Sequence, residues 1–583
     1  MTTGHLSGHS KAFIPISYIA CSTIVLFIAG LAGVLRAGVW AAGILAAAFL
    51  ITPVIIAVKG KIEYKSFIPG TTLIFFIGTV IWLFLATRDA AVIHTDDFSH
   101  WYKICKIMHC ESAFPTTPDL AFPSYTPGTA VWIYFITSLM GFSADNCFFA
   151  QGLINICALT SLFSLTDKMV GKTKIFAQLF LTTSAITLCA VTENTYVLLV
   201  DVPLGLTACA AFILILSDTK RDMRFAVTLA SLLTLVMLIK ASGALFVIAG
   251  IALLFITGRK SSLKTCITAT AITAACAIAL PALYLARSKK YYGDLANTQQ
   301  GLSTARFLSL YSSKSPENIK DTVVFYLKSI FMTGMPSTQI IVIWIALFGL
   351  FVILMVSKHN KTVLYKENKL VLIFSLVLLF VFWGALLATY LFSMEVREAN
   401  GEFLASFNRY NGTIAIIVLG MLVRQVTRNT EKMKNVSAHP AVYITSAVTI
   451  FAVGIIFFNF TYLLGCRNYE CDEAYYTAGP WDVCMKYIPE INEYNECRYM
   501  VVYDESVFED DFRNKLEWMM VVHLRSIHMR FVGMDEFING EVSEDDWDYI
   551  GRCDYIVAFG DGQFEELLKT YISPDTHVYL NDV

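Results

Sequence analysis

The chain has 583 residues, of which 56% are hydrophobic, 13% aromatic and only 15% charged. Soluble domains carry about 25% charged residues, so this composition excludes a chain solvated wholly by water and makes lipid its main solvent. The net charge of −2 hides a split: from Cys466 onward there are 26 Asp and Glu against 9 Lys and Arg, a tail at −17, which leaves the preceding part at +15. Two physically different objects share the chain.

The opening MTTGHLSGHSKA carries one Lys, and no small-residue cleavage site follows the first apolar run, so that run is expected to be retained. Thirteen apolar runs follow, at about 13–35, 37–58, 67–87, 145–165, 173–191, 195–216, 223–239, 243–257, 264–286, 338–356, 369–393, 410–424 and 441–464. Runs of this kind cross roughly 30 Å of hydrocarbon as helix, which predicts a mostly α, polytopic membrane helical bundle over residues 1–464.

Every second connection is basic: Lys59, Lys61 and Lys65; Lys168, Lys172 and Lys174; Lys220, Arg221 and Arg224; Arg259, Lys260 and Lys264; Lys358, Lys361, Lys366 and Lys369; Arg424, Arg428, Lys432 and Lys434. The alternate short connections hold only Arg36 and Lys240. Because Lys and Arg are retained on the cytoplasmic side, the N-terminus is expected inside. The loops 88–144, 287–337 and 394–409 and the tail are expected outside, on a bacterial cell membrane. The run VWIYFITSLM at 131–140 is too short to span and follows the Pro-containing FPSYTPG at 122–128, so it is read as a helix at the outer interface. Counting it as a span would put every later basic loop outside.

The tail, 465–583, alternates strand-like and helix-like runs: RYMVVYD at 498–504, FRNKLEWMMVVHLR at 512–525, HMRFVGM at 528–534, DYIVAFGD at 554–561 and FEELLKTYI at 564–572. That pattern predicts a small acidic α/β domain. Cys105 and Cys110 share one polar loop, and Cys466, Cys471, Cys484, Cys497 and Cys553 cluster in the tail, an odd number that leaves one unpaired even in an oxidising compartment.

The sharpest chemical constellation is HTDDFSHW at 94–101. Adjacent carboxylates in a low-dielectric setting raise one pKa unless a cation is near, which suits a general base or a metal site at Asp96 and Asp97, flanked by His94, His100 and Trp101. A solvated loop with incidental acids is the bland alternative. Asp201, in VDVPLG, falls inside the outer end of a span, where an ionised side chain is costly unless paired or wet, with Glu193 and Asn194 a turn away. A structural cap before Pro203 is its alternative. Lys240 in LIKASG, Arg287, Lys289 and Lys290 in ARSKKYYGD, and Arg409 with Tyr410 in FNRYNG supply cations at the same level, fit to hold a phosphate leaving group. For Arg287, Lys289 and Lys290 the competing reading is snorkelling to lipid headgroups. No Walker loop, dinucleotide fingerprint, HExxH, paired CxxC or GxSxG occurs, and no nucleic-acid partner is expected.

In order and sidedness these residues resemble the large polytopic glycosyltransferases of the GT-C type, which include protein mannosyltransferases and lipid A aminoarabinose transferases. The shared series is TDDFSHW after a span, FPSYTPGTAVWIYFI, VDVPLG, LIKASG and FNRYNG, covering roughly 67–424. Two departures are plain: three spans precede the acidic loop rather than one, and a double proline is replaced by Pro123 and Pro127. The resemblance implies inverting transfer of sugar from a polyprenyl-phosphate donor to a glycan, lipid or protein acceptor on the outer face of the bilayer. It implies Asp96 as base, Asp97 as its partner, and Asp201, Lys240, Arg409 and Tyr410 as donor-phosphate or site-shaping residues. A divalent metal, Mg or Mn, at Asp96, Asp97 and Asp201 is used by some members and not by others. A secondary transporter would also bury carboxylates, but near the midplane; a polysaccharide ligase or polymerase would carry a late outer loop rich in His and Arg; and thirteen spans exceed what an anchor for the tail needs.

Overall fold

The computed structural model describes residues 10–58, 70–88, 96–116, 122–192, 197–217, 221–258, 263–293, 304–458, 498–503, 528–539, 542–550, 552–559 and 577–581, with Ala90, Val92, His94 and Leu120. The chain divides into two compact units, one of residues 1–90 and 116–468, the other of 91–115 and 469–583. The segment carrying Asp96 and Asp97 thus groups with the tail.

A helix lies on each of the thirteen expected runs. In chain order these are α1 (Ile14–Leu31), α2 (Leu35–Val58) and α3 (Thr71–Ala86). After them come α4 (Tyr102–Glu111), which belongs to the second unit, and α5 (Gly128–Met140). The bundle continues with α6 (Ala144–Thr160), α7 (Gly171–Cys189), α8 (Asp201–Ser217), α9 (Met223–Ile239), α10 (Gly243–Gly258) and α11 (Leu263–Tyr292). It ends with α12 (Thr304–Ser313), α13 (Pro316–Phe331), α14 (Thr338–His359), α15 (Tyr365–Phe392), α16 (Phe407–Glu431) and α17 (His439–Phe457).

Among the described residues seven helices are long and apolar enough to cross a membrane, and shorter apolar helices such as α3, α8, α9 and α10 pack beside them. The helix α7 has the length, but Lys172, Lys174, Gln178, Thr182, Thr183 and Ser184 dilute it. The expected span at 195–216 starts later, since residues 197–200 are non-helical and helix begins at Asp201. The short helix α5 is more buried than an interfacial one: Gly128 to Phe135 are all buried, against α1, α6 and α9. Side-chain caps set several helix starts. Ser143 accepts from the Asn146 amide before α6, Asp222 from Arg224 and Phe225 before α9, and Ser337 from Ile340 before α14. The centre is α8, α9 and α16, each buried nearly along its length.

In the second unit four parallel strands, β1 (Arg498–Tyr503), β2 (His528–Gly533), β3 (Tyr555–Phe559) and β4 (His577–Asn581), form a sheet of order β2-β1-β3-β4. Val501 pairs with Phe531 on one side and Val557 on the other, so β1 is central, and Tyr499 to Tyr503 are all buried, which covers both of its faces. Met500, Val502, Val532 and Ile556 build a core with Met534, Ile550 and Cys553, while Tyr499 and Tyr555 stack at 5.2 Å on the alternate register. The strand β4 adds a fourth strand that the sequence pattern does not suggest. The helical runs at 512–525 and 564–572, the basic residues Lys59, Lys61, Lys65, Lys220, Arg259 and Lys260, and Cys466, Cys471, Cys484 and Cys497 lie outside the described residues. Cys105 and Cys553 are buried thiols, and Cys110 is half-buried.

Candidate functional site

Three helix ends meet around one carboxylate. The first is the start of α8. Buried Gln151 on α6 donates through Nε2 to the carbonyls of Val197 (3.2 Å) and Leu199 (3.1 Å), pinning the non-helical stretch that delivers Asp201 to the first helical turn. Thr413 Oγ1 of α16 donates to the Asp201 carbonyl at 3.3 Å. A Cβ on Gly205 would stand 3.0 Å from the Thr413 oxygen, so a glycine there lets α8 and α16 approach closely.

The second end is the turn between α9 and α10. Lys240 stops α9 by taking an extended backbone (φ −159°, ψ 143°), and its carbonyl accepts from the Gly243 amide at 2.9 Å. The turn is tight, since a Cβ on Gly243 would lie 2.3 Å from the Val236 oxygen. The third end is the start of α16. There a short hairpin pairs Ala399 with Leu404, and Ser406 then takes a left-handed conformation (φ +56°) before Arg409 and Tyr410.

At this junction Lys240 Nζ lies 2.9 Å from Asp201 Oδ1, and Arg409 Nε lies 3.3 Å from Asp201 Oδ2. Both cations stand over the Tyr410 ring, at 4.8 Å and 5.5 Å from its centroid. The Asp201 side chain is 5% exposed, that of Lys240 12% and that of Arg409 19%, so the carboxylate is enclosed while the cations reach the surface of the site. Two positive charges against one negative leave +1, and the amino-terminal ends of α8 and α16 add their positive dipole ends. Such an arrangement attracts a phosphate.

The Pro-containing segment packs beside it. Thr126 Oγ1 donates to the Met237 carbonyl at 3.5 Å, and a Cβ on Gly128 would meet the Leu238 oxygen at 2.4 Å, two residues before Lys240. Ser288 Oγ donates to the Pro123 carbonyl at 3.1 Å, tying in the last turns of α11. There Arg287 stacks on Tyr291 at 4.7 Å, and Lys289 and Lys290 are exposed.

Of the residues that the sequence singles out, the structure brings Asp201, Lys240, Arg409 and Tyr410 together. Sequence reasoning misses Gln151, Gly128 and Lys314. A Gln within an apolar run is the signal for the first. Lys314 is buried between α12 and α13, its Nζ donating to the Tyr390 carbonyl at 2.6 Å, and burial lowers its pKa. Glu193 and Asn194 lie outside the described residues.

In the second unit Asp97 is fully buried and Asp96 half-buried, at the head of a π-helical turn, Asp97–Trp101, that runs into α4. The Asp96 amide donates to His94 Nδ1 at 3.1 Å. His100 is also fully buried, edge-on to Trp101 at 4.6 Å, and burial lowers its pKa to about 3 despite the charge of Asp96. Lys106, six residues further along, is lowered to about 7, again by burial. Among the described residues no three His, Cys, Asp or Glu side chains converge as metal ligands.

No family model matches the chain, and no curated protein sequence matches it. Among solved structures it is similar to ArnT from Cupriavidus metallidurans in the apo state, with a TM-score of 0.47, 12% identity, and coverage of 79% of this chain and 86% of that one. It is similar also to the same protein bound to undecaprenyl phosphate, with a TM-score of 0.42, 11% identity and the same coverage, 79% and 86%.

Proposed function

We propose that the chain is an integral membrane glycosyltransferase that moves a sugar from a polyprenyl-phosphate donor to an acceptor at the outer leaflet by inverting displacement. The observation that carries this reading is the clamp of Lys240 and Arg409 on Asp201 over Tyr410, a site of net positive charge at two helix amino-termini, near the end of an apolar bundle. A lipid phosphate brings its leaving group to that depth. The acceptor hydroxyl attacks the anomeric carbon and gives its proton to Asp96, and the carbon–oxygen bond to the phosphate breaks with its electron pair leaving on the polyprenyl phosphate. Lys240 and Arg409 hold the charge that develops there, which is where preorganised cations lower a barrier. Asp201 positions both cations and does not itself react. Asp97 is the partner of the base, since two adjacent carboxylates hold a proton more readily than one. The basic connections put the amino-terminus in the cytoplasm and the tail outside, and the acidic tail binds or screens the acceptor.

The test is a transfer assay in liposomes with a panel of polyprenyl-phosphate sugars. The intact chain transfers sugar, and Asp96→Asn transfers at least about a hundredfold more slowly while still binding donor. Equal rates for the two proteins refute the assignment of the base. If no lipid-phosphate sugar binds and a solute gradient is dissipated instead, the chain is a transporter.

A further inference from the structure

The helices α8 and α16 carry the clamp at their first turns, and at their last turns, roughly 25–35 Å away at about 1.5 Å per residue, they line a cavity of about 110 Å³. Its other walls are the 3-10 turn Ser161–Thr166 and the residues Ser10–Phe13 ahead of α1. Three buried polar atoms on the wall have no hydrogen-bond partner among the described residues: Ser164 Oγ, Ser217 Oγ and Arg428 Nε. All three can donate.

The acids nearby are already engaged. Glu431 pairs with Arg428 at 2.8 Å, and Asp167 accepts from Ser10 and has Lys11, Lys168 and Lys174 around it. Counting Lys11, Lys168, Lys174 and Arg428 against Asp167 and Glu431 leaves +2. The negative end of α8 does not offset this charge, because Arg424 caps the Leu216 carbonyl at 2.6 Å and Arg221 the Ile215 carbonyl at 3.1 Å. A water occupies roughly 10–15 Å³ on this scale, so the space takes a phosphate group with room for a few waters. Buried donors left without acceptors are costly, and an anion that meets all three removes that cost.

We propose that this cavity binds a phosphate group through Ser164, Ser217 and Arg428, a second anion site at the opposite end of the helices that form the clamp. The group is either the headgroup phosphate of an anionic lipid or free inorganic phosphate, and both present anionic phosphate oxygens to the same donors. The site stands whether or not the chain transfers sugar.

The test uses the full chain, with inorganic phosphate as one probe in detergent and phosphatidylglycerol against phosphatidylcholine as the other in nanodiscs. Lys240→Gln serves as background to silence the clamp. At least one probe binds with one-to-one stoichiometry in that background, and adding Ser164→Ala with Ser217→Ala weakens it about tenfold or more, as expected for lost hydrogen bonds to a charged group. The two hydroxyls hold no partner among the described residues, so the double variant unfolds at the parent's temperature, which separates loss of the site from misfolding. Binding of phosphatidylglycerol alone assigns a lipid headgroup, and binding of both assigns any accessible phosphate. Absence of binding by either probe, or equal binding by the double variant, overturns the site and leaves the cavity to water.

Discussion

Replacing Asp201 by Asn separates holding the cations from binding the ligand. The side chain keeps its shape, and Thr413 is unaffected because it bonds the backbone oxygen of residue 201. What is lost is one negative charge set 2.9 Å from Lys240 and 3.3 Å from Arg409. Breaking a buried pair costs about 3–5 kcal/mol when the orphaned charge is sealed off. Here the orphans are the two cations, 12% and 19% exposed, so partial hydration puts the loss at the lower end and the empty protein unfolds at a lower temperature. Ligand affinity moves the other way. A phosphate seated on the same cations sits within about 5 Å of the carboxylate, a repulsion of about 3 kcal/mol at an effective dielectric of about 20. Discounting by half for solvent leaves roughly a tenfold gain in affinity when that charge is removed. Thermal unfolding of the purified chain, titrated with a short-chain polyprenyl phosphate, reads both effects. The variant starts lower and shows the larger ligand-induced rise, while Lys240→Gln, combined with Ser164→Ala and Ser217→Ala so that the second cavity is silent, shows almost none. If Asp201→Asn binds the lipid phosphate more weakly than the parent, the carboxylate contacts the ligand itself or a cation on it, and its role as a holder of Lys240 and Arg409 is wrong.

Gly128→Ala drives a methyl into the Leu238 carbonyl, where a separation of 2.4 Å is far below van der Waals distance, so either α5 or the end of α9 must shift. A displacement of this kind next to Lys240 costs about a hundredfold in transfer rate with little change in expression, and a rate within twofold of the parent counts against a positioning role for the 122–128 segment. His100 gives the second unit a pH dependence. Its imidazole takes a proton near 3 in the fold and near 6.5 when unfolded, so the stability held above pH 6.5 is lost progressively as the pH falls toward 3. Hydrogen exchange of the peptide 96–111, corrected for intrinsic rates, reports opening that rises up to about tenfold per unit of acidification in that window, and His100→Leu flattens it. An unchanged slope in His100→Leu assigns the acid sensitivity elsewhere.

Hydropathy made the bundle legible because each helix must satisfy its backbone internally and face lipid or a neighbour with apolar side chains. The cation clamp was legible for the opposite reason: Asp201, Lys240 and Arg409 are expensive at those depths, and each needs a partner. Helix starts were harder to read, as at 197–200, where Val, Leu, Leu and Val pass for helix although Gln151 takes the carbonyls of Val197 and Leu199 and the stretch is non-helical. A pairing 46 residues away in the chain leaves no local trace. The same limit hid the cavity at the far end, since Ser164, Ser217 and Arg428 come from three separate segments and none stands out in its own. Periodicity reports which face a residue shows, while expensive charges report that some partner exists. Only the meeting of helix ends decides which partner it is, and in this chain α8 and α16 bring separate segments together at both of their ends, with a carboxylate shared by two cations at one and three donors without a partner among the described residues at the other.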